Sequence, residues 1–562
     1  METKRAFIAV IISLVILVGY QYIFMPGVHQ APVQQQKQQA EGTAAAPELV
    51  QPAPRAAAPQ LSQPAAVPAP ATANNTAVSA PAIKGRDITV KTSLYTAVIS
   101  ENGGVIKSFT LNKYRESLAA DSPQKELIKT SSPRDLPLNF YWGQGGNMTL
   151  PLFKANRLQV TTSPNGRQTL TMTATLKSGL KIKRVMTFSD NSYLIGLTIT
   201  VENKTLSPLR GAPYLQLINR PFSQDSSKTS FLFHGPASYV NGKLEEIKAK
   251  TLRKKGPKVF QGKLDWAAYE GTYFMCGIIP QTKLPSTVQM ALTGKDTIIT
   301  TVSGSLSTIS AGNAREYSYG LYFGPKKLSI LKEVGFNLDK TVNFGWFDLI
   351  AKPTLYLLNF LDRYVHNYGV AIILVTILFK LILWPISHKG MKSMKTMQKI
   401  QPKMAKLREK YKDNKEKLNQ EMILLYKTYK INPLGGCLPM VVQIPVFFAL
   451  YRVLLQTIEL RHAPFMLWIN DLSAPDRLSI GFNIPYLHGI PVLTLLMGVS
   501  MFVQQKMTPT TGDPTQAKIM LFLPVVFTFM FLNFASGLVL YWFVNNLLSI
   551  GQQYYINKSI DD

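Results

Sequence analysis

The sequence predicts an α-helical membrane protein of several crossings that carries a large antiparallel β-sandwich outside the bilayer. Three observations predict it. Apolar runs of about 20 residues, the length one helical crossing needs, occur at the start of the chain and again after residue 344. Between them, residues 84–343 alternate apolar and polar side chains and are rich in Thr, Val and Ile, the texture of half-buried strands. Finally, 61 Lys+Arg stand against 32 Asp+Glu while 46% of the chain is hydrophobic, a blend of soluble and membrane composition. At 562 residues the chain exceeds a single compact core and must divide. Two cysteines exclude a disulfide scaffold and a cysteine-based zinc or iron–sulfur site.

Taken in order, residues 1–5 are short and basic and 6–25 are almost wholly apolar. A cleaved signal peptide has this charge order but a shorter apolar region ending at small residues. Here the run leads into Met25-Pro26-Gly27, so the sequence favours an uncleaved signal anchor over 1–25. Residues 26–83 hold ten prolines and only four charges, Lys37, Glu41, Glu48 and Arg55. Such a segment cannot bury enough apolar surface to offset its ordering entropy and reads as a disordered linker. In the sandwich region, 88–100, 168–176, 181–189 and 193–202 read as strands, punctuated by Asn102-Gly103-Gly104, Asn165-Gly166 and Asn241-Gly242. Residues 344–366 mix apolar side chains with Asp348, Lys352, Asp362 and Arg363 and read as an interfacial helix. Five crossings follow at 367–386, 434–457, 490–507, 519–533 and 537–556, which makes six with the anchor.

Charge orients these spans. Residues 84–345 hold 35 Lys+Arg and 17 Asp+Glu; 387–432 hold 13 and 4; the loop 458–489 holds only Arg461 and Arg477 on the basic side. The positive-inside rule puts 387–433 in the cytoplasm, along with both chain ends and the short tail 557–562. Long translocated domains largely ignore that rule, so the basic sandwich can lie outside. Cys276 and Cys437 then face opposite sides, and no intrachain disulfide forms. Nucleic-acid binding is the first reading of such basicity, but no zinc-finger or RRM-like pattern supports it, and no specific nucleic acid is expected as a partner.

Conventional catalytic signatures are absent: there is no P-loop, no H-E-x-x-H and no G-x-S-x-G. The six histidines are scattered. Neither an enzyme nor a metal or cofactor is expected. The informative residue is Lys380, fourteenth in the 367–386 span and about 9 Å from its cytoplasmic end at 1.5 Å per residue. A charge at a helix centre costs at least about 2.5–3.5 kcal/mol. Either the lysine snorkels to the headgroups or it faces a water-filled recess. No Asp or Glu lies in any predicted crossing, so an ion pair within the spans is excluded. Polar company favours the recess: Thr376 one turn away, Gln443, Gln504, Gln505, Asn545 and Asn546. Each alone also fits ordinary interhelical hydrogen bonding. Arg452 and Lys506 lie nearer span ends and read as snorkelling. The segment 387–433 reads as a helical hairpin, with Met391, Met394, Met397, Met404 and Leu407 on one arm and Leu418, Met422, Leu425 and Tyr429 on the other. Such a pair suits anionic headgroups or, through its methionines, varied apolar segments.

At this point long strings carry a resemblance. Asn432-Pro433-Leu434-Gly435-Gly436-Cys437-Leu438-Pro439, Gln443-Ile444-Pro445-Val446-Phe447, Glu459-Leu460-Arg461, Gln505-Lys506-Met507 with Pro509-Thr510-Thr511, and Ser536-Gly537-Leu538-Val539-Leu540-Tyr541 resemble the YidC/Oxa/Alb family of membrane protein insertases. The match is close over 344–556; the anchor, linker and sandwich follow the Gram-negative layout. The resemblance implies an insertase and chaperone for inner-membrane proteins, working alone or with the Sec translocon. It implies a five-helix core around a hydrophilic groove open to cytoplasm and lipid, and a periplasmic sandwich. Implied partners are nascent inner-membrane proteins, the Sec translocon, membrane lipids, and a ribosome or targeting receptor reached through the cytoplasmic hairpin. Lys380 falls where many bacterial members carry arginine, keeping the charge but not the bidentate fork. Thr376, Tyr541 and Trp542 fall where the family contacts the inserting helix, Trp542 standing where a tyrosine is common. The tail ends Asp561-Asp562 without a long basic extension, which argues against ribosome binding through it. Two rival classes remain on the residues alone, a secondary transporter and an envelope assembly scaffold. No repeated halves support the first.

Overall fold

The computed structural model describes residues 85–119, 121–128, 135–145, 150–222, 232–282, 285–429, 438–481, 489–508 and 514–561. The expected anchor 1–25 and linker 26–83 lie outside these residues, as do the start of the 434–457 span and part of the 458–489 loop. Pro81–Gln144 and Met148–Asp562 form one compact unit.

Strands fill the first half in three sheets. The largest runs Lys243–Glu246, Gly235–Val240, Leu264–Glu270, Phe274–Pro280, Ala314–Pro325, Leu194–Asn203, Leu180–Ser189, Arg167–Thr175 and Lys154–Ala155. A five-stranded sheet is built on Ile106–Arg115, Tyr95–Ser100 and Asp87–Lys91, and a six-stranded one on Ser286–Thr293, Thr297–Ser303 and Leu209–Asn219. Along Leu194–Asn203 every second residue is buried, as a strand with one face on the core requires. Phe274–Pro280 is buried at every position, which its unbroken apolar sequence fits. Trp266, Tyr95, Phe109, Phe188 and Phe323 fill the interior, with the Tyr95 and Phe109 rings stacked at 4.5 Å.

Two features differ from the sequence reading. The pairing is not wholly antiparallel, because Asp87–Lys91 pairs in parallel with Gln159–Thr161. Residues 88–100 are also two strands rather than one. The Thr92 hydroxyl accepts from the backbone N–H of Leu94 and Tyr95 at 3.2 and 3.0 Å, a local turn that competes with the ladder. The Asn165 and Asn241 turns do carry left-handed backbone, at φ 56° and 51°; the second closes the hairpin of Gly235–Val240 and Lys243–Glu246, as tight hairpins demand, while the first links strands of two different sheets.

One buried cation holds this region together. The Arg184 guanidinium, 0% exposed, donates from Nη1 to the carbonyls of Gly103 and Gly104 at 2.8 and 2.9 Å and from Nη2 to Leu138 at 3.0 Å. It also lies 5.6 Å over the Phe153 ring.

Helices make up the second half: α1 Asp348–Val365, α2 Tyr368–Ile382, α3 Trp384–Lys410, α4 Lys415–Thr428, α5 Leu438–Gln456, α6 Val492–Met507, α7 Pro514–Phe531 and α8 Ser536–Asp561. Asn367 starts α2, its side chain accepting from the Val370 N–H at 3.1 Å and donating to the Phe465 carbonyl at 2.8 Å. The helical path through 367–386 is not straight: α2 ends at Ile382 and α3 leaves at 63°. Pro385 stands in the first turn of α3, where its missing N–H costs nothing, and its ring would crowd the Leu381 carbonyl of a helix running straight on from α2. Asn414 caps α4 through the Lys417 N–H, and Met397, Ile400 and Met404 of α3 pack against Met422, Leu425 and Tyr426 of α4. α8 runs on through Asp561, so most of the segment 557–562 continues the last helix. Among the described residues no single helix is long and apolar enough to cross a membrane. The bent pair α2–α3 passes that test jointly, and 441–456, 492–507 and 520–531 are shorter apolar helices.

The two halves meet through Arg461. Its guanidinium donates to the Arg115 and Glu116 carbonyls at 2.5 and 3.0 Å and lies 5.6 Å over the Phe274 ring.

Candidate functional site

α2 packs between α1 and α8, and α8 also packs on α6. This puts Lys380, in the last turn of α2, against the polar stripe of α8. Lys380 is 9% exposed, and its ammonium donates to Ser549 Oγ at 2.6 Å. The Ser549 hydroxyl in turn donates to the Asn545 carbonyl at 2.7 Å. Among the described residues no carboxylate lies within ion-pair distance of Lys380. An ammonium has three N–H donors, so a single neutral hydroxyl leaves hydrogen-bonding capacity at a buried charge.

The other expected residues divide into two groups. Asn546 is buried and donates to Ser500 Oγ of α6 at 3.0 Å, and Ser500 in turn donates to the Met497 carbonyl. Gln553 Nε2 reaches the Met507 carbonyl at 2.8 Å. These bonds join α8 to α6, which is the helix-gluing role of intramembrane amides. Thr376 is buried and donates back to the Ile372 carbonyl at 2.6 Å, so it adds no donor to the Lys380 neighbourhood. Gln504 and Gln505 end α6, their carbonyls receiving the Thr508 N–H; the contacts of Lys380 do not include them.

Tyr541 and Trp542 lie about two turns before Ser549 in an aromatic cluster. Trp542 meets Phe447 edge-on at 4.7 Å and Phe531 at 5.0 Å. Tyr541 is buried, with Phe447 6.4 Å away, and its hydroxyl hydrogen-bonds Gln443. Gln443 is thus drawn to the aromatic cluster rather than to Lys380. Sequence reading missed Ser549, Ser500, Gln552 and Gln553. The three on α8 are signalled by the polar spacing 545, 546, 549, 552, 553 in an otherwise apolar run, which places two adjacent polar stripes on one helix; Ser500 on α6 has no such mark.

Comparison with known proteins follows the same division. Residues 87–357 match the YidC periplasmic domain and residues 360–562 the 60Kd inner membrane protein family. The membrane protein insertase YidC of Citrifermentans bemidjiense is 43% identical over 559 residues, covering 100% of both chains. That of Syntrophus aciditrophicus is 45% identical over 481 residues, covering 84% of this chain and 85% of its own. A solved structure of an active YidC insertase with its first transmembrane domain resolved aligns with 84% of this chain and 95% of its own, at 18% identity and a TM-score of 0.35. Several galactose mutarotase-like structures align with about two-fifths of the chain, one at 12% identity with a TM-score of 0.30 and 42% of this chain covered. With both halves matched by family and with full-length relatives above 40% identity, this chain belongs to the YidC family of membrane protein insertases.

Proposed function

We propose that the chain inserts membrane proteins into the inner membrane and helps them fold, alone or with the Sec translocon, through a hydrated, positively charged groove centred on Lys380. The observation that carries this reading is the buried Lys380 ammonium held by one hydroxyl. A polar stretch crossing bare lipid loses its hydration at several kcal/mol per unsatisfied group. A wet, cationic recess part-way across shortens that dry path and attracts acidic stretches. The apolar helix of the substrate then leaves sideways into lipid, and its burial drives the step without nucleotide hydrolysis. The aromatic cluster around Tyr541 and Trp542 offers that helix a surface at the groove's inner end. The helical hairpin α3–α4 carries the basic charge that suits anionic headgroups and docking of a ribosome or targeting receptor.

In the topology that goes with this reading, the chain crosses six times with both ends cytoplasmic and the sandwich in the periplasm. Depletion of the protein tests the function: small inner-membrane proteins should remain uninserted, whereas a scaffold or transporter would leave them inserted. Labelling of Lys410→Cys from the outer side of intact spheroplasts would overturn the topology.

A further inference from the structure

Three residues past Ser549, on the α8 face that meets Lys380, stands a side chain that the groove reading does not use. Gln552 is 1% exposed, yet neither its amide oxygen nor its amide nitrogen has a hydrogen-bond partner. Burying an amide this way is costly, and its neighbour Gln553 avoids that cost by bonding the Met507 carbonyl. The two glutamines sit on different stripes of α8. Asn546 and Gln553, seven residues apart, face α6. Asn545, Ser549 and Gln552, at i, i+4 and i+7, share the face that meets Lys380. Early in α3, in its second turn, His388 Nδ1 is also buried and unpaired.

We propose that Gln552 is a substrate-positioning residue of the insertion site, and that its ligand is a peptide group of the passing polypeptide. This rests on the groove reading above. A primary amide offers an acceptor and two donors, the complement of a backbone N–H and C=O. A helical segment has satisfied its own peptide groups, so it gains nothing from Gln552. An unwound or extended polar flank has not, and it exchanges one or two hydrogen bonds with the amide while Lys380 supplies the charge. Lys380 thus selects acidic side chains, and Gln552 selects unpaired backbone irrespective of sequence.

The test uses the full chain in membranes and arrested nascent chains with one cysteine in the polar flank. Lys380→Cys, Gln552→Cys and Gln553→Cys are compared for disulfide capture against the chain with no added cysteine. The proposal expects capture at 380 and 552 and none above background at 553. It also expects Gln552→Leu to lower insertion of substrates with long polar flanks several-fold while thermal stability holds or rises, because an unpaired buried amide is replaced by an apolar group. A merely structural Gln552 would not separate these two readouts. Capture at 380 without capture at 552, or normal insertion by Gln552→Leu, overturns this inference and leaves the groove standing. Capture at neither position overturns the groove reading with it.

Discussion

Arg184 in the sandwich and Lys380 among the helices are both buried cations with no carboxylate at ion-pair distance among the described residues, and the two are held in opposite ways. Arg184 in the sandwich spends its guanidinium on three backbone carbonyls and an aromatic face. Burial lowers its pKa to about 10, still well above neutrality, so it stays charged as a fixed cross-link between strand ends. Lys380 in the helical half has one hydroxyl. Arg184 keeps one unpartnered donor, its buried Nε, but three carbonyls of the chain hold both ends of its fork; a single hydroxyl leaves the Lys380 ammonium far less committed. The contrast separates a residue kept for architecture from one kept for work, although both are buried and basic.

The comparison is broken most sharply at Lys380. Lys380→Ala should reduce insertion of substrates with acidic translocated tails about tenfold or more, since Coulomb attraction in a partly desolvated site exceeds its value in water. Lys380→Arg should be tolerated. Equal insertion by wild type and Lys380→Ala, at matched expression, would assign the lysine to snorkelling. Arg184→Ala should do the reverse, costing the sandwich about 3–5 kcal/mol by leaving buried carbonyls unpaired while insertion stays near wild type. Proteolysis of the outer domain and an insertion assay on the same membranes read both effects. Deletion of 30–320 with the anchor retained takes the same contrast to its limit and should leave insertion active, at the cost of the Arg461 grip on the Arg115 and Glu116 carbonyls. Loss of insertion by a stably expressed deletion would show that the outer half takes part directly.

The smallest effect concerns the entry of the sandwich. The Arg86 guanidinium and the Ala155 and Arg86 N–H groups hold the Glu101 carboxylate at a pKa of about 2, below its ordinary 4.5. A lowered carboxylate pKa contributes stability that is present above about 4.5 and lost as pH falls toward about 2. Acid unfolding of the outer domain should therefore steepen in that window, and Glu101→Gln should flatten it. An unchanged acid profile in Glu101→Gln would remove the pair from the account.

Much of the sandwich was legible because strand periodicity is local: Leu180–Ser189 and Leu194–Asn203 fall within a residue of the alternating runs that announce them. The parallel pairing of Asp87–Lys91 with Gln159–Thr161 was not, because register between segments seventy residues apart leaves no local mark. Arg184 was hidden for the same reason, as its three carbonyls come from Gly103, Gly104 and Leu138. In the helical half, Lys380 stood out because a charge inside an apolar run is rare. Its partner Ser549 did not, since a serine in a helix is unremarked until the packing of α2 on α8 is known. Gln443 shows the limit of counting polar residues: it lies in an apolar run like the others, yet it serves Tyr541.

The bend between α2 and α3 has a mechanical consequence. Lys380 stands three residues before the break at Leu383, and the 27-residue arm beyond it is about 40 Å long at 1.5 Å per residue. Such an arm is a lever with its fulcrum beside the buried charge. A tilt of about 5° at the fulcrum displaces the far end by about 3.5 Å over that length. Conversely, a load seated on the distal hairpin delivers its torque within one helical turn of the ammonium.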